Sequence, residues 1–240
     1  MPGEFLNIGE FPSLDWLSGR DASGDALVVA VPAVRVARLA EARLRLPPDE
    51  AARIARFRLA QDRAEREAAH GLLRHLLGLR LGRDPAGLVL ARDENGRPFL
   101  PGSRGLDFNL SHGGGWVAVG LSGIGRIGVD VEGAARPVDW DQVTPVFLHP
   151  TELAAYRDLP ADARPSRALE WWSVKEACLK ATGEGLVAEP QSVRLTGEGA
   201  GWRLRRAGLS LRAASRVLSD GARFAWAVED GTEVRVVVVE

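Results

Sequence analysis

The stretch IGVDVE, residues 127–132, alternates apolar and polar positions and predicts a strand with one apolar face. Its isoleucine and two valines are expected to point one way, while Asp130 and Glu132 point the other way. Two neighbouring carboxylates repel each other and need water, basic neighbours or a cation. The same pattern also fits the solvated face of an ordinary half-buried strand, so this stretch alone leaves both interpretations open.

A helix predicted over residues 166–182 supplies a third acid. Leu169, Trp172 and Leu179 follow the spacing of an inward-facing stripe, and Glu176 occupies a position that this stripe assigns to an apolar residue. A buried carboxylate without a partner is costly, so a site would give Glu176 a cation or hydrogen-bond donors. The alternative is a surface ion pair with Lys180 at i, i+4. The two adjacent tryptophans favour the site.

The patterns on either side of this strand and helix predict an α+β fold. The stretch LVVAVPAVRVA, residues 27–37, is typical of a buried strand, and Pro47-Pro48 opens a long helical stretch that breaks once. Two short strands flank the glycines at 113–115, residues 144–156 are predicted as one helix, and the last sixty residues are rich in strand patterns. This order fits α+β better than a doubly wound sheet.

Composition and charge exclude several classes of protein. The 240 residues, 45% hydrophobic and 26% charged, are typical of a folded globular chain. A net charge of −1 gives no global field that favours nucleic acid or a membrane surface, and no apolar run approaches the length of about 18 residues that a membrane span needs. The N-terminus has no signal-like pattern, and the single Cys178 fits a reducing compartment, so a cytoplasmic location is expected.

The chain contains only two lysines, Lys175 and Lys180, and they lie five residues apart. All other basic residues are arginines. The two lysines therefore suggest a place where a compact ammonium cannot be exchanged for a guanidinium, although chance also explains the spacing.

Three glycines at 113–115 follow Ser111-His112. Such a turn allows backbone N–H groups to cradle an anion, and it equally fits a flexible hairpin. The remaining histidines, His70, His75 and His149, have no metal-ligand spacing and are interpreted as structural or exposed.

Two further motifs are set aside. Gly123, Gly125 and Gly128 match G-x-G-x-x-G, but they lead into a strand rather than opening a helix, so the match is interpreted as accidental. A histidine followed by three glycines is also found in the oxyanion loop of some esterases. The chain has no G-x-S-x-G elbow, which argues against a serine hydrolase.

Taken together, four motifs resemble those of the 4′-phosphopantetheinyl transferases, in particular the larger, surfactin-type subfamily. They are GRPFL (96–100), FNLSHGG (108–114), GVDVE (128–132) and WWSVKEACLKATGEGL (171–186). The resemblance implies two similar α+β halves related by a pseudo-twofold axis in one chain. We place the halves at residues 1–123 and 124–240, with coenzyme A in the cleft between them, the nucleotide side on the first half and the metal on the second.

The resemblance also implies an enzyme activity. A serine hydroxyl of an apo acyl or peptidyl carrier protein attacks the β-phosphate of coenzyme A, which yields the holo carrier and adenosine 3′,5′-bisphosphate. In family terms Asp130, Glu132 and Glu176 hold Mg²⁺, Lys180 contacts the pyrophosphate, and Glu176 activates the serine. Three carboxylates and a pyrophosphate around one Mg²⁺ leave negative charge that nearby cations must offset.

The resemblance assigns further residues to coenzyme A. His112 and basic residues of the early helix are expected at the 3′-phosphate, and Arg97 and Ser111 near the nucleotide and phosphates. The early-helix candidates are Arg53, Arg63 and Arg66. Lys175 lies about 100° round the helix from Glu176, so a secondary role is expected for it.

Other functions remain possible on these residues. The chain could be a module that binds coenzyme A or a carrier protein without turnover, in which case Glu176 is a structural acid. An Mg²⁺-dependent phosphohydrolase could use the same acids. The subfamily resemblance implies a monomer.

Overall fold

The computed structural model describes residues 6–7, 26–43, 46–135, 137–184, 188–197 and 201–239, which form eleven strands and six α-helices. The strands are β1 (Leu6–Asn7), β2 (Ala26–Pro32), β3 (Ala91–Arg92), β4 (Pro98–Phe99), β5 (Asp107–Gly113), β6 (Trp116–Ser122), β7 (Ile127–Glu132), β8 (Trp202–Arg206), β9 (Leu209–Val217), β10 (Arg223–Glu229) and β11 (Val234–Val238). The α-helices are α1 (Ala33–Arg43), α2 (Pro48–Ile54), α3 (Ala60–Leu81), α4 (Trp140–Phe147), α5 (Pro150–Arg157) and α6 (Arg164–Thr182).

Two sheets carry the fold, which is α+β. The five-stranded sheet has the order β1-β11-β2-β6-β5, and the four-stranded sheet has the order β7-β10-β9-β8; β3 and β4 pair as a small ribbon. In the first sheet β2 runs antiparallel to β6 and parallel to β11, while every pairing in the second sheet is antiparallel. Pairing of consecutive strands builds most of the second sheet, whereas in the first sheet, among the described strands, only β5 and β6 are consecutive partners.

The two sheets pack face to face, and the helices cover their outer faces. Apolar residues of β2, β6, β7, β10 and β11 form one core between the sheets. A second core lies between the first sheet and α1 with α3, and a third lies between the second sheet and α4 to α6. Ile127, Val129 and Val131 all belong to the core between the sheets, so the predicted apolar face of β7 is confirmed.

The edges of the two sheets meet at β5 and β7 through side chains. Asn109 Oδ1 accepts a hydrogen bond from Val129 N at 3.0 Å, and Asp107 Oδ2 accepts one from Ile127 N at 2.8 Å. Side chains of β5 thus accept hydrogen bonds from backbone N–H groups at the edge of β7. These groups would be costly if they were buried and unpaired. This junction brings residues 109–112 of β5 beside the acidic face of β7.

The local signals explain where the main helices begin and end. Helix α2 begins at Pro48 with Asp49 and Glu50 in its first turn, as proline and acids favour the N-terminus of a helix. The long predicted helical stretch breaks once, between α2 and α3, as expected. Helix α6 ends at Gly183, whose φ of 78° is the left-handed conformation that glycine adopts readily.

Two predicted elements differ from the structure. Residues 27–37 do not form one strand: β2 ends at Pro32, and α1 follows at once. Residues 33–43 contain valine, leucine and alanine at helical spacing, and Pro32 at the junction has no backbone N–H to extend the strand pairing. Residues 144–156 form parts of two helices, because Pro150 starts α5 at its first position and His149 caps it.

The division at residue 123 stays a prediction, and the strand pairing does not follow it throughout. Strand β11 lies in the second predicted half but pairs with β2 in the first sheet. No helix within the described ranges combines the length and the apolar character needed to cross a membrane.

Candidate active site

Asp130 lies at the centre of a polar cluster on the face of β7 that packs against α6. Its side chain is nearly inaccessible, with a relative exposure of 2%. Oδ1 accepts hydrogen bonds from Ser111 Oγ at 3.0 Å and from Lys180 Nζ at 2.7 Å. Lys180 Nζ also donates to Ser111 Oγ at 2.9 Å. The interpretation of this face as an ordinary solvated surface is therefore wrong for Asp130.

Glu132 stands two residues farther along the same face. Its Oε1 accepts a hydrogen bond from Trp172 Nε1 at 3.0 Å, which holds the carboxyl group against α6. Burial raises the pKa of Glu132 to about 7, and the nearby charges of Asp130 and Glu176 act in the same direction. Burial, together with the neighbouring carboxylates, therefore disfavours the charged form of Glu132.

Helix α6 adds Glu176 and Lys180 to this face. Glu176 lines the same cleft as Asp130 and Glu132. Burial raises its pKa, Lys180 lowers it, and Asp130 raises it. Lys180 forms its ion pair with Asp130, so the alternative of a Glu176–Lys180 surface pair does not describe this arrangement. Strand and helix together bring the three predicted acids and the second lysine into one cleft.

The close contact between β7 and α6 depends on Gly128. A Cβ atom at this position would lie 2.0 Å from the carbonyl oxygen of Ala177 and 2.5 Å from the amide nitrogen of Ala181. The helix backbone thus touches the strand backbone, which is the close approach that glycine permits. Gly128 therefore serves the packing of β7 against α6 and not the binding of a dinucleotide. This packing brings the side chains of Glu176 and Lys180 beside Asp130.

The cleft has a volume of about 420 Å³ and is acidic at one end and basic at the other. Asp130, Glu132 and Glu176 mark the acidic end. The basic end lies toward α3 and β3. The residues that line the basic end of the cleft are Arg66, His70, Arg92 and His112. A ligand that fills the cleft would carry negative charge at the basic end and would need a cation, beside Lys180, at the acidic end.

His112 is held at the basic end by α3. Its Nδ1 lies 3.7 Å from Oε2 of the buried Glu65. Burial lowers the pKa of His112 to about 4, Arg66 lowers it further, and Glu65 opposes both. The ring is therefore neutral at pH 7 in this arrangement and presents one N–H group.

The glycine turn after His112 is a packing device. A Cβ at Gly114 would lie 2.3 Å from Cα of Gly133, so the turn touches the chain directly after β7. The amide of Gly115 donates to Glu65 Oε1 at 2.7 Å. The turn is thus a tightly packed hairpin. The amide of Gly115 already donates to Glu65 and is not available to bind an anion. It sets the distance between His112 and the acids of β7.

Of the three early-helix arginines, the structure brings Arg66 to the cleft wall. Its guanidinium carbon lies 3.7 Å from the centre of the Phe57 ring, and its Nε is buried with no hydrogen-bond partner among the described residues. Arg63 donates to the carbonyls of Phe57 and Arg58, and Arg53 lies 3.6 Å from Glu50. Neither belongs to the described cleft lining, so the assignment of these two residues to the 3′-phosphate stays a prediction.

The sequence analysis missed Arg92 and His70. Arg92 lies on β3, which pairs with β4 at the end of the GRP motif. This pairing places the side chain of Arg92 at the wall of the cleft. Burial lowers its pKa, as does the positive charge of Arg53. No local signal distinguishes Arg92 from the many other arginines. His70 was interpreted as structural or exposed; it is buried against Glu50, which is a structural role, and it also lines the cleft.

His70 belongs to a buried charged cluster with Glu50 and Arg74. Glu50 Oε1 lies 2.5 Å from His70 Nδ1, and Oε2 accepts from Arg74 Nε at 2.6 Å. Arg74 also donates to the carbonyls of Pro85 and Leu88. Burial alone would raise the pKa of Glu50, but His70 and Arg74 outweigh it and lower the pKa to about 2. The cluster ties α2 to α3 behind the basic end of the cleft.

This cluster predicts a pH dependence of stability. The folded-state pKa of Glu50, about 2, lies below the ordinary value of 4.5, so its contribution is complete above pH 4.5 and is lost as the pH falls toward 2. The lost contribution is about 3 kcal/mol. We expect the difference in unfolding free energy between wild type and Glu50→Gln to shrink by that amount between pH 5 and pH 2, as measured by urea titrations. A difference that stays constant with pH would contradict the assignment.

Lys175 is separated from the cleft, against the expectation that it serves the ligand. Its side chain is fully buried, with an ion pair to Glu152 Oε2 at 2.7 Å. Nζ also donates to the carbonyls of Phe147, Pro190 and Val193. Burial lowers the pKa of Lys175, while Glu152 opposes the shift. This lysine ties α4, α5 and the segment after α6 to α6, which is a structural role.

Arg97 lines the cleft, but its guanidinium binds protein oxygens. Nη1 donates to the carbonyl of Lys180, and Nη2 donates to Asp107 Oδ2 at 2.8 Å and to the carbonyl of Ile127 at 2.7 Å. The expected contact with a nucleotide is therefore not what this guanidinium is arranged to make. Ser111, by contrast, lies within the polar cluster, with its hydroxyl between Lys180 and Asp130, and its expected contact with phosphate stays a prediction.

The acidic end has the donor set of a site for a hard divalent cation. Asp130 Oδ2 is buried and has no hydrogen-bond partner in the described part of the chain. Mg²⁺ prefers such carboxylate oxygens together with water and phosphate oxygens. As the side chains stand, no three acidic, histidine or cysteine groups among the described residues converge on one point. Lys180 Nζ instead pairs with Asp130 Oδ1 at 2.7 Å, so the oxygen donors of the acidic end suit a hard cation in chemistry but do not form a ready three-group site among the described residues.

Comparison with known families gives two matches that cover different parts of the chain. Residues 126–230 match the family model of the 4′-phosphopantetheinyl transferase superfamily. Residues 35–122 match the model described as 4′-phosphopantetheinyl transferase, N-terminal. The residues of the acidic end fall in the first match, and those of the basic end fall in the second.

Individual relatives carry the same description. The chain is 34% identical over 145 residues to the 4′-phosphopantetheinyl transferase HetI of Nostoc sp., an alignment that covers 59% of this chain and 61% of HetI. It is 32% identical over 130 residues to a 4′-phosphopantetheinyl transferase of Bacillus subtilis, covering 53% and 57%. It is 28% identical over 156 residues to the 4′-phosphopantetheinyl transferase Sfp of Bacillus subtilis (strain 168), covering 64% of this chain and 68% of Sfp. The chain thus spans somewhat over half the length of the first two relatives.

Proposed function

Because this chain belongs to the 4′-phosphopantetheinyl transferase superfamily, we propose that it transfers the phosphopantetheine arm of coenzyme A to a serine of an apo acyl or peptidyl carrier protein. The second product is adenosine 3′,5′-bisphosphate. The observation that carries the proposal is the single cleft with three acids and Lys180 at one end and Arg66, Arg92 and His112 at the other. This polarity suits a ligand with a pyrophosphate and a separate phosphate.

The basic end is proposed to hold the 3′-phosphate of coenzyme A. The buried, unpartnered Nε of Arg66 is a donor that a phosphate oxygen could satisfy. Arg92 adds a second guanidinium, and the neutral His112 adds one N–H group, which is fixed in place by Glu65 and the glycine turn. Charge-assisted hydrogen bonds of this kind are stronger than neutral ones. Binding energy from this end would hold the pyrophosphate at the acidic end.

At the acidic end, Lys180 is placed to bind the pyrophosphate, with its Nζ between Ser111 Oγ and Asp130 Oδ1. Asp130, Glu132 and Glu176 would hold Mg²⁺, which when bound neutralises phosphate charge and orients the phosphoryl group. Burial is the main cause of the raised pKa values of Glu132 and Glu176, and a bound cation would favour the charged forms of both groups.

Glu176 is proposed to accept the proton of the attacking serine. A carboxylate whose pKa is raised by burial is a better base than an exposed one, and Glu176 faces the cleft beside the proposed pyrophosphate position. Phosphoryl transfer needs little covalent help from the protein, so positioning and charge neutralisation supply most of the rate. Glu176 would therefore act both in holding the ion and in moving the proton.

The function is tested by incubating the protein with apo carrier proteins, coenzyme A and Mg²⁺ and weighing the carrier by mass spectrometry. A gain of one phosphopantetheine group that depends on Mg²⁺ is the expected result. Binding of coenzyme A without any gain on a panel of carriers would instead identify a non-catalytic binding module. Breakdown of coenzyme A without a carrier would identify a phosphohydrolase.

Replacing Lys180 with arginine tests why a lysine stands here. The guanidinium is larger and planar, and it cannot occupy the position of Nζ between Ser111 and Asp130. We expect kcat/KM for carrier modification to fall at least about 10-fold in Lys180→Arg. The matched control is the reverse exchange Arg203→Lys at the exposed pair with Asp230, which should leave the rate unchanged. An unchanged rate in Lys180→Arg would show that the position of the lysine is due to chance.

We further propose that the protein acts as a cytoplasmic monomer. Both predicted halves lie in one chain, which supports a monomer as the active form. The single Cys178 is buried, and burial raises its pKa to about 12, as suits a thiol that stays reduced and unreactive.

A further inference from the structure

The C-terminal end of α6, which carries Lys180, is held by side chains from other elements. The last carbonyls of an α-helix have no partner within the helix. Here Arg97 Nη1 donates to the carbonyl of Lys180, Arg126 Nε donates to that of Ala181 at 3.0 Å, and Asn95 Nδ2 donates to that of Gly183 at 2.7 Å. Two of the three donors are guanidinium groups, which also suit the negative end of the helix dipole.

Arg97 differs from the other two donors because it joins three elements. Besides the carbonyl of Lys180, it binds Asp107 at the start of β5 and the carbonyl of Ile127 at the start of β7. The side chain is buried. Asp107 Oδ2 also accepts from the amide of Ile127 at 2.8 Å, which closes the network. The planar fork of an arginine can bridge three such acceptors, whereas a lysine ammonium is a point charge on a flexible stem.

The same network fixes both partners of the central ion pair. Arg97 holds the backbone of Lys180 on α6 and, through Ile127, the strand on which Asp130 stands three residues later. Lys180 Nζ lies 2.7 Å from Asp130 Oδ1. A shift of either element would open this contact.

We propose that Arg97 is a positioning residue for Lys180, acting through the end of α6, and that it does not bind the nucleotide itself. This inference rests on the proposed function in that Lys180 is taken to bind the pyrophosphate. Both terminal nitrogens of Arg97 already donate to protein oxygens, so the guanidinium is committed to the fold. Arg97 then affects the reaction mainly through Lys180 and the ion pair that Lys180 forms with Asp130.

A double-mutant cycle separates this role from a direct contact. Coupled residues give non-additive effects, whereas independent ones give additive effects. We expect Arg97→Met to lower kcat/KM for carrier modification about 10- to 100-fold when Lys180 is present. In the Lys180→Met background the same change should cost less than about threefold. Equal losses in both backgrounds would overturn the proposal, because Arg97 would then act independently of Lys180.

A second measurement reads the position of Lys180 without any activity. The chain has two lysines, and Lys175 is fully buried, so amine acylation followed by peptide mass spectrometry reports on the side chain of Lys180. We expect Arg97→Met to accelerate acylation of Lys180 about threefold or more, because the contact with Asp130 opens. Arg203→Met, at an exposed pair, serves as the matched control and should leave the rate unchanged. An unchanged rate in Arg97→Met would overturn the proposal.

The two readouts also separate the positioning role from the proposed function. If the wild-type protein modifies no carrier, the proposed function fails, and the acylation rates alone decide the role of Arg97. If Arg97→Met does not fold, as judged by circular dichroism, Arg97→Lys replaces it in the cycle and in the acylation measurement, since it keeps the charge and loses the fork. Additive losses or an unchanged acylation rate for Arg97→Lys would then overturn the proposal.

Discussion

Glu176→Gln should abolish carrier modification, with kcat reduced at least about 1,000-fold, while the melting temperature stays the same or rises. The amide cannot accept the serine proton, and it weakens the proposed ion site by removing a negative charge. Burial raises the pKa of Glu176, which means that the folded state disfavours the charged carboxylate. A neutral side chain of the same shape removes that cost. The variant should therefore lose activity without losing stability.

The measurement combines carrier mass spectrometry with thermal melts at pH 8, where an ordinary glutamate is ionised. Glu67→Gln is the matched control, because Glu67 is exposed on α3 and is absent from the described cleft lining. It should modify the carrier at the wild-type rate. Near-normal turnover by Glu176→Gln would show that the wrong acid has been assigned, and a large fall in its melting temperature would show that Glu176 is a structural residue.

Gly128→Ala should reduce both stability and activity. The added Cβ would lie 2.0 Å from the carbonyl oxygen of Ala177, a distance that forces the backbones of β7 and α6 apart. Overpacking of this kind costs about 3 kcal/mol, which lowers the melting temperature of a chain of this size by about 6–12 °C. Because Glu176 and Lys180 stand on the displaced helix, we also expect kcat/KM to fall at least about 100-fold.

Gly87→Ala is the matched control for the glycine substitution, since a Cβ there would meet nothing within 4 Å. It should melt and react as the wild type does. Calorimetry and carrier modification measured on both variants separate the effect of local crowding from that of replacing any glycine. If Gly128→Ala keeps wild-type stability and turnover, the helix does not depend on this contact for its position.

The acidic end of the site could be largely predicted from short-range patterns. Alternation along residues 127–132 assigned the valines to one face and Asp130 to the other, and the side-chain positions agree with it. The position of Glu176 in an apolar stripe likewise indicated a site on α6. Such patterns work because neighbouring residues on a strand or helix have fixed relative directions.

The basic end could not be predicted in this way. Arg53, Arg63 and Arg66 all lie in the early helical stretch, and only Arg66 belongs to the described cleft lining, whereas Arg92 arrives from another element. An arginine side chain is long and has many rotamers, so its sequence position says little about where the guanidinium ends. His70 lines the cleft because Glu50, from a different helix, holds its ring.

The sequence by itself determined the α+β class, the apolar face of β7 and the acids that line the cleft. Only the tertiary structure decided that Lys175 is buried away from the cleft, that Arg97 binds the end of α6, and that Gly114 touches the chain after β7. The physical reason is that periodicity is a property of residues close together in the chain. The roles of these three residues depend instead on contacts between elements that are far apart in the sequence and meet only when the sheets and helices pack.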